Sequence, residues 1–447
     1  MSLKIIYSQR VLLDAQLQEA SIFIQDGIIQ NIVLGRKENT EWEFLDYENL
    51  VIFPGVIDAH IHINEPGRTE WEGFDTATKA AAAGGITTLI DMPLNSSPVT
   101  INSAAFQQKI AASEGKRHVH CGFWGGLVPQ NAEDLSEILA SGVLGIKAFL
   151  THSGIEDFLN VTAKDLHKAM PQIAAAKIPL LVHCEIDQPN KTTDLHQQHP
   201  TSYQHFVKSR PPAWENEAVR LMIKLCEKYN CPVHIVHLSS AEVLPDIKAA
   251  KAIGLPLTVE TCPHYLYFDA DTIPDANTRF KCTPPIRDKT NNEQLWQALQ
   301  MGLIDFVASD HSPAPAKLKQ IESGNLYKAW GGIIGGQLLL SATWTKAKTR
   351  GIKLNQIAKW LCEKPAEFIG YPNKKGKIKI GYDADLVMWN PEISFKLAKE
   401  HLFHKHACSP YIGEKLFGKI EATYCKGKLV FANSEIKQKG EGELILR

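Results

Sequence analysis

The residues able to do chemistry in this chain gather at the ends of short apolar runs. The clearest stretch is 56–75, VIDAHIHINEPGRTEWEGFD, where Val56 and Ile57 lead through Asp58 to His60 and His62 before Pro66 and Gly67 break the run. Side chains of a strand alternate faces, so the two imidazoles point the same way and can chelate one metal ion. Taken alone, His-x-His is explained as well by a half-buried strand whose histidines meet backbone carbonyls. Further candidates close later apolar runs: Lys147 in GIKAFL, His183 in LLVHCE, His237 in HIVHLSS and Asp310 in VASDHSP. A single strand-end histidine is more often a satisfied polar residue than a ligand. Four imidazoles, a carboxylate and a lysine in one consistent layout argue against coincidence.

Lys147 needs its own argument, because an ammonium has no lone pair to offer a metal. Buried beside two cations, the amine is held neutral and can take up carbon dioxide as a carbamate, an anionic oxygen ligand suited to bridging two ions. The competing reading pairs the lysine with a substrate anion or with Asp310.

The elements that must position these groups follow two styles. Residues 1–53 read as short strands with turns, including Ile22–Ile24, a turn at Gln25-Asp26-Gly27, and Ile28–Ile32. The end of the chain resumes this style at Ala384–Trp389, Ala422–Cys425 and Lys428–Phe431. Both termini are therefore expected to build one small β domain, from 1–53 and 372–447. The middle, 54–371, alternates strands and helices, with strands expected at Val56–His62, Ile86–Met92, Val119–Gly126, Gly142–Leu150, Ile178–Glu185, Pro232–Leu238, Pro256–Thr261 and Asp305–Asp310. Helices are expected at Phe74–Ala83, stopped by Gly84-Gly85, and at Glu215–Tyr229, with Ala218, Leu221, Met222 and Leu225 toward the core. Eight strand–helix units predict a (β/α)₈ TIM barrel, an α/β fold whose reactive groups sit at the C-terminal strand ends. An open doubly wound sheet is the alternative, but no GxGxxG follows an early strand.

Bulk composition narrows the classes. The 447 residues are 44% hydrophobic and 22% charged with a net charge of -1, so no basic excess drives binding to nucleic acid or an anionic membrane. The basic cluster Lys374–Lys379 is expected in solvated turns and strand edges. No apolar run reaches membrane-span length, and the N-terminus lacks a signal-peptide core. Nine cysteines without a CxxC pair do not suggest a disulfide framework, which predicts a cytoplasmic protein with reduced thiols. Cys184 and Cys262 are expected to pack near the centre rather than react.

In combination, DAHIHINEPG, GIKAF, VHCE, HIVHLSS, TCPHY, CTPPIR, SDHSP and the late GYDADLV resemble the cyclic-amidohydrolase branch of the amidohydrolase superfamily across nearly the whole chain. The resemblance implies a binuclear metal centre in a (β/α)₈ barrel beside a small β-sandwich built from both termini. Carried over by position, His60 and His62 bind the more buried ion, and His183 and His237 the more exposed one. N6-carboxylated Lys147 bridges both, and Asp310 completes the first site and acts as base. Zinc is the first expectation, with cobalt, manganese or iron suited to the same ligands. A metal lowers the pKa of bound water to about 7, so a bridging hydroxide is available for ring hydrolysis. The branch also implies a homotetramer or dimer.

Members of the branch include dihydroorotases, hydantoinases or dihydropyrimidinases, and allantoinases. Dihydroorotases hold their substrate's carboxylate with an Arg where this chain has Asn64, an Asn where it has Leu94, and a His where it has Ala314. Losing a bidentate Arg partner from a buried carboxylate costs about 3–5 kcal/mol by analogy with broken buried pairs. A neutral ring fits better. HINEPGRTEWEGF, DMPLNSSP, SDHSPAP and KAWGGI resemble the allantoinase family in particular, implying ring opening of allantoin to allantoate. Asn64, Asn95 and Ser312 can read a ureido arm, and backbone around Thr283, Gly331 and Gly332 is expected to hold the ring, with Trp330 beside it. Dihydroorotate, hydantoin and dihydrouracil remain the alternative substrates. A metal-free scaffold protein related to dihydropyrimidinases is a different class of answer, but it predicts missing ligands and none is missing.

Overall fold

The computed structural model describes residues 3–187, 196–437 and 440–447. Each strand expected in the middle of the chain forms, and all of them pair in parallel. Val56–Ile61 lies beside Ile86–Asp91, which lies beside His120–Phe123. That chain continues through Trp124 into Gly125–Gly126, which pairs with Ile146–Phe149. Leu180–His183, Val233–Ile235, Leu257–Thr261 and Phe306–Val307 follow in order. Just beyond the last of these, His311 bridges in parallel to Ile61, and the His62 N–H donates to the His311 carbonyl at 2.9 Å. Asp58 tightens the same join, accepting from the Ser309 N–H at 3.0 Å and the His60 N–H at 3.3 Å. The hydrogen-bonded path therefore returns to its first strand at the end where the candidate residues stand. Val56–Ile61 and Ile86–Asp91 are buried at every position, as strands covered on both faces must be.

The helices form for legible reasons. Phe74–Ala83 is alanine-rich and ends at Gly84, where a Cβ would lie 2.3 Å from the Gln337 carbonyl oxygen, so only glycine allows the approach. Pro212–Tyr229 starts on a proline and ends at Asn230 in the left-handed region. Ala218, Met222 and Leu225 face its core as expected, whereas Leu221 is half-buried against the core's rim.

Both chain ends share one nine-stranded sheet, joined where Leu386–Lys396 runs antiparallel to Val51–Pro54. Its hairpin at Asp26-Gly27 has φ of 50° and 83°, the two positive values that a two-residue hairpin turn requires. Ile6, Ile22, Ile24, Ile52, Leu386, Met388 and Tyr424 make a common apolar core from both ends. The last strand, Leu444–Ile445, leaves this sheet and pairs in parallel with His120–Phe123.

One expectation is corrected. Lys375, read as part of a solvated basic cluster, is buried, with its Nζ 2.6 Å from Asp385 and 2.9 Å from Asp383. Spacing alone could not separate it from its neighbours, because its partners lie in the following GYDADLV turn.

Candidate metal centre and active site

His60 and His62 leave the first strand end on one face, with ring centroids 5.6 Å apart. Asp310, at the end of the last strand, lies 3.1 Å from His60 Nε2 and 3.5 Å from His62 Nε2. One ligand atom from each of the three falls within 4.8 Å of the others. His237 stands beside His60 at 5.5 Å between centroids and beside His183 at 4.6 Å. Lys147, Asn95, Thr283, Ser312, Gly331 and Gly332 complete the lining of the same cavity, together with Leu94, Phe149, Ser153 and Trp330. Six strand ends thus supply one small polar space. Asn64 lies outside this lining. Its backbone is left-handed and its amide donates to the Pro313 carbonyl at 3.5 Å.

Two glutamates orient the imidazoles, and sequence reasoning had passed over both. Glu260 accepts from His60 Nδ1 and from the His237 backbone N–H at 3.2 Å, and also meets His234 Nε2 at 3.2 Å. Glu185 accepts from His183 Nε2 at 2.8 Å and is clasped by Arg210 through Nε at 3.0 Å and Nη2 at 2.6 Å. Carboxylates that take one ring N–H fix the tautomer and leave the other nitrogen facing the cavity. Their signal was present in VHCE and VETCPHY, but an acidic residue near a strand end has no periodicity to mark it. Phe149, stacked on His183 at 4.6 Å, was hidden in GIKAF as ordinary core.

The electrostatics suit a cation. Burial pulls the His60 imidazole down, but Glu260 and Asp310 outweigh it and raise it to about 9. Burial raises Asp310, yet His60, His62 and His237 hold it well below the usual carboxylate range, so it is ionised and able to accept a proton. Burial lowers the Lys147 ammonium to about 8 against the pull of Glu260 and Asp310. At pH 7 that leaves about a tenth of the amine neutral, a fraction a few hundred times larger than for an ordinary lysine. Lys147 Nζ and His237 Nδ1 are buried without a hydrogen-bond partner among the described residues, while His60 Nε2 has Asp310 alone beside it. Buried polar atoms left so cost free energy unless a ligand or water satisfies them.

Cys184 and Cys262 are buried, and burial raises both thiols, in keeping with packing roles. Of three other buried groups with a donor set of comparable size, that of Cys262, His264 and Asp310 shares Asp310 with the first, and the remaining two are tied up internally. His311 Nε2 faces Glu72 at 3.2 Å while its Nδ1 accepts from the backbone of Gly335 and Gly336. Asp385 near His120 is already neutralised by Lys375.

A second, larger cavity of about 410 Å³ shares Ser153, Thr283, Trp330 and Gly331 with the first. It contains none of the candidate metal ligands, and the common wall sets it beside the inner site.

Comparison with known proteins agrees with this geometry. The profile of the Amidohydrolase family matches residues 51–430. Allantoinase of Arabidopsis thaliana is 43% identical over 458 residues, spanning 99% of this chain and 90% of that protein. Allantoinase of Saccharomyces cerevisiae is 39% identical over 417 residues, spanning 92% and 90% respectively. Among solved structures, L-hydantoinase (dihydropyrimidinase) from Arthrobacter aurescens superposes with a TM-score of 0.90 at 28% identity, over 99% of each chain. On these matches the chain belongs to the amidohydrolase family, in the part of it that holds the allantoinases.

Proposed function

We propose that this protein hydrolyses a ring amide of a neutral cyclic ureide, and that its substrate is allantoin, opened to allantoate. The observation that carries the reading is Lys147. It is a fully buried amine without a partner, set among four imidazoles and a carboxylate. Addition of Nζ to carbon dioxide forms a nitrogen–carbon bond, releases one proton and leaves an anionic carbamate.

His60, His62 and Asp310 would hold one divalent cation and His183 and His237 a second, with carboxylated Lys147 between them. Zinc suits the donor set, and cobalt, manganese or iron fit it too. When bound, the ions supply a polarised scissile carbonyl and an acidified water. Asp310 takes the proton of the attacking water and delivers it to the ring nitrogen as the carbon–nitrogen bond breaks. Thr283, Gly331 and Gly332 hold the ring through backbone groups, and Asn95 and Ser312 face the ureido arm. Asn64, whose amide also reaches the Pro313 carbonyl, is read with them as a contact to the arm.

The strand path is read as a (β/α)₈ barrel over 54–371 and the nine-stranded sheet as a β-sandwich from 1–53 and 372–447. The ring of parallel pairings and the shared core of both ends support this. Nine free cysteines support a reducing, cytoplasmic setting. Among the described residues no helix is long and apolar enough to cross a membrane. Assembly as a homodimer or homotetramer is part of the same reading.

The test is a competition among rings. Protein loaded with zinc, cobalt or manganese is offered allantoin, hydantoin, dihydrouracil and dihydroorotate at equal concentration. Allantoin is expected to be opened fastest. Rings without the arm leave buried polar groups unpaired, a loss that reaches about 10⁴–10⁵ in kcat/KM in sites built on hydrogen bonds. Dihydroorotate is expected to be poorest. Arg287 is committed to Glu215 at 3.4 Å, Arg68 lies over the Trp71 ring at 5.1 Å, and neither lines the cavity. Fastest turnover of dihydroorotate would refute the assignment.

A further inference from the structure

The wall that faces the reacting ring is made of two separate backbone segments, around Thr283 and at Trp330–Gly332, and one buried cation joins them. Lys319 is fully buried. Its Nζ donates to the carbonyls of Gly332 at 2.7 Å, Trp330 at 3.0 Å and Lys281 at 3.3 Å. An ammonium has three N–H donors, so each of them is used. Among the described residues, no carboxylate oxygen lies within 4.0 Å of it. A cation buried without a counter-ion is costly, and three neutral carbonyls are its whole compensation. Filling space would be served better by a methionine.

The geometry of the peptide says what the arrangement achieves. In a planar trans peptide the N–H points opposite to the carbonyl. With the Trp330 carbonyl turned onto Lys319, the Gly331 N–H is directed away from the lysine. Gly331 and Gly332 line the reactive cavity. A Cβ at Gly331 would make only ordinary contact with Thr283, at 3.6 Å, so the chain here lies open on that side. Gly332 is different: its φ is 147° and a Cβ would lie 2.4 Å from the Ser312 carbonyl oxygen. Its N–H donates to the Lys281 carbonyl at 2.8 Å, the carbonyl that Lys319 also holds. Lys281 supports the outer part of the same loop, donating to the carbonyls of Ala329 at 2.6 Å and Tyr327 at 3.2 Å.

We infer that Lys319 is a positioning residue for substrate binding. It clamps the Lys281–Thr283 and Trp330–Gly332 segments in register and fixes the Trp330–Gly331 peptide, so that the backbone of the wall presents a preformed set of groups to the ring of the cyclic amide. The inference rests on the cyclic-amide reading of the site. It adds that ring recognition is set by a residue that does not touch the substrate.

The test is Lys319→Met, which keeps the length of the side chain and removes all three donors. The clamp acts on binding and not on the reacting atoms, so KM is expected to rise about tenfold or more, equally for rings with and without a polar arm. The kcat is expected to stay within about threefold, and metal content per chain at the wild-type level. KM is read on whichever cyclic amide the wild-type protein turns over, so a wrong choice of substrate leaves the test intact. An unchanged KM, or a kcat and metal content that fall together, would overturn the inference while sparing the proposed function. Should Lys319→Met be recovered unfolded, Lys319→Gln is read the same way. If neither variant folds, Lys319 is a prop of the fold and the inference is wrong. If the metal-loaded wild type opens no ring at all, the proposed function fails and takes this inference with it.

Discussion

At the scale of single residues, the centre depends on carboxylates doing two kinds of work. Glu185 and Glu260 hold imidazoles in one tautomer, while Asp310 faces the cavity beside His60 and His62. Asp310 is the proton carrier in this account. General acid–base catalysis contributes about 10²–10⁴-fold, and Asp310 would also lose a metal contact, so Asp310→Asn is expected to lower kcat at or beyond that range. Steady-state kinetics with metal content measured in parallel checks this; a variant retaining a tenth of the wild-type rate would mean that another group is the base. The candidate ligands were legible in the sequence because each ends an apolar run, a pattern that survives without knowledge of the fold. Glu185 and Glu260 were not, since their role exists only once distant strands bring a histidine to them. Asn64 shows the limit of residue type as a signal: its amide lies 3.5 Å from the Pro313 carbonyl, a neighbour that only the fold brings to it.

At the scale of elements, the strands read correctly because their apolar runs are continuous, as burial on both faces demands. What could not be read was how the loops beyond them pack together. The Trp330–Gly332 loop is shaped by contacts with Ser312, Lys281 and Lys319, each from a different place in the chain. Gly332 is where that packing is tightest. Gly332→Ala places a methyl group against the Ser312 carbonyl at a φ that L-residues rarely adopt, costing about 1–3 kcal/mol in strain. The expected outcome is a raised KM with a lowered unfolding midpoint, measured by kinetics and by thermal denaturation. Full activity with wild-type stability would show that the loop is not packed as described.

At the scale of the molecule, one buried charge cluster ties the sheet of the chain ends to the ring of parallel strands. Lys375 pairs with Asp383 and Asp385, and Asp385 meets His120 from the third ring strand at 3.3 Å. Lys375→Met strands two carboxylates in the interior and is expected to cost about 3–5 kcal/mol, read as a loss in denaturant midpoint. The pH dependence follows from the shifts. Burial raises Asp385, but Lys375 and His120 outweigh it and hold it below its ordinary value. Its contribution is therefore present above the unfolded carboxylate range near 4 and is lost as pH falls. Burial lowers Lys375, but Asp385 and Asp383 outweigh it and raise it. Its contribution is complete below the unfolded lysine value near 10.4 and is lost as pH rises above it. The stability gap between wild type and Lys375→Met should be widest between these limits and narrow outside them. Its joining role was not legible beforehand, because only the fold brings His120 to the segment that carries Lys375, Asp383 and Asp385.

The central claim is that carboxylated Lys147 holds two cations that let this chain open allantoin. The most direct measurement combines metal analysis with allantoin turnover for the wild type and for Lys147→Ala, each prepared with zinc and ¹³C-bicarbonate. The account predicts two ions per chain, a labelled carbamate and conversion of allantoin to allantoate in the wild type. In Lys147→Ala it predicts loss of label, metal and turnover, with partial recovery on adding a short carboxylic acid. A Lys147→Ala protein that keeps two ions per chain and opens allantoin at the wild-type rate would contradict it.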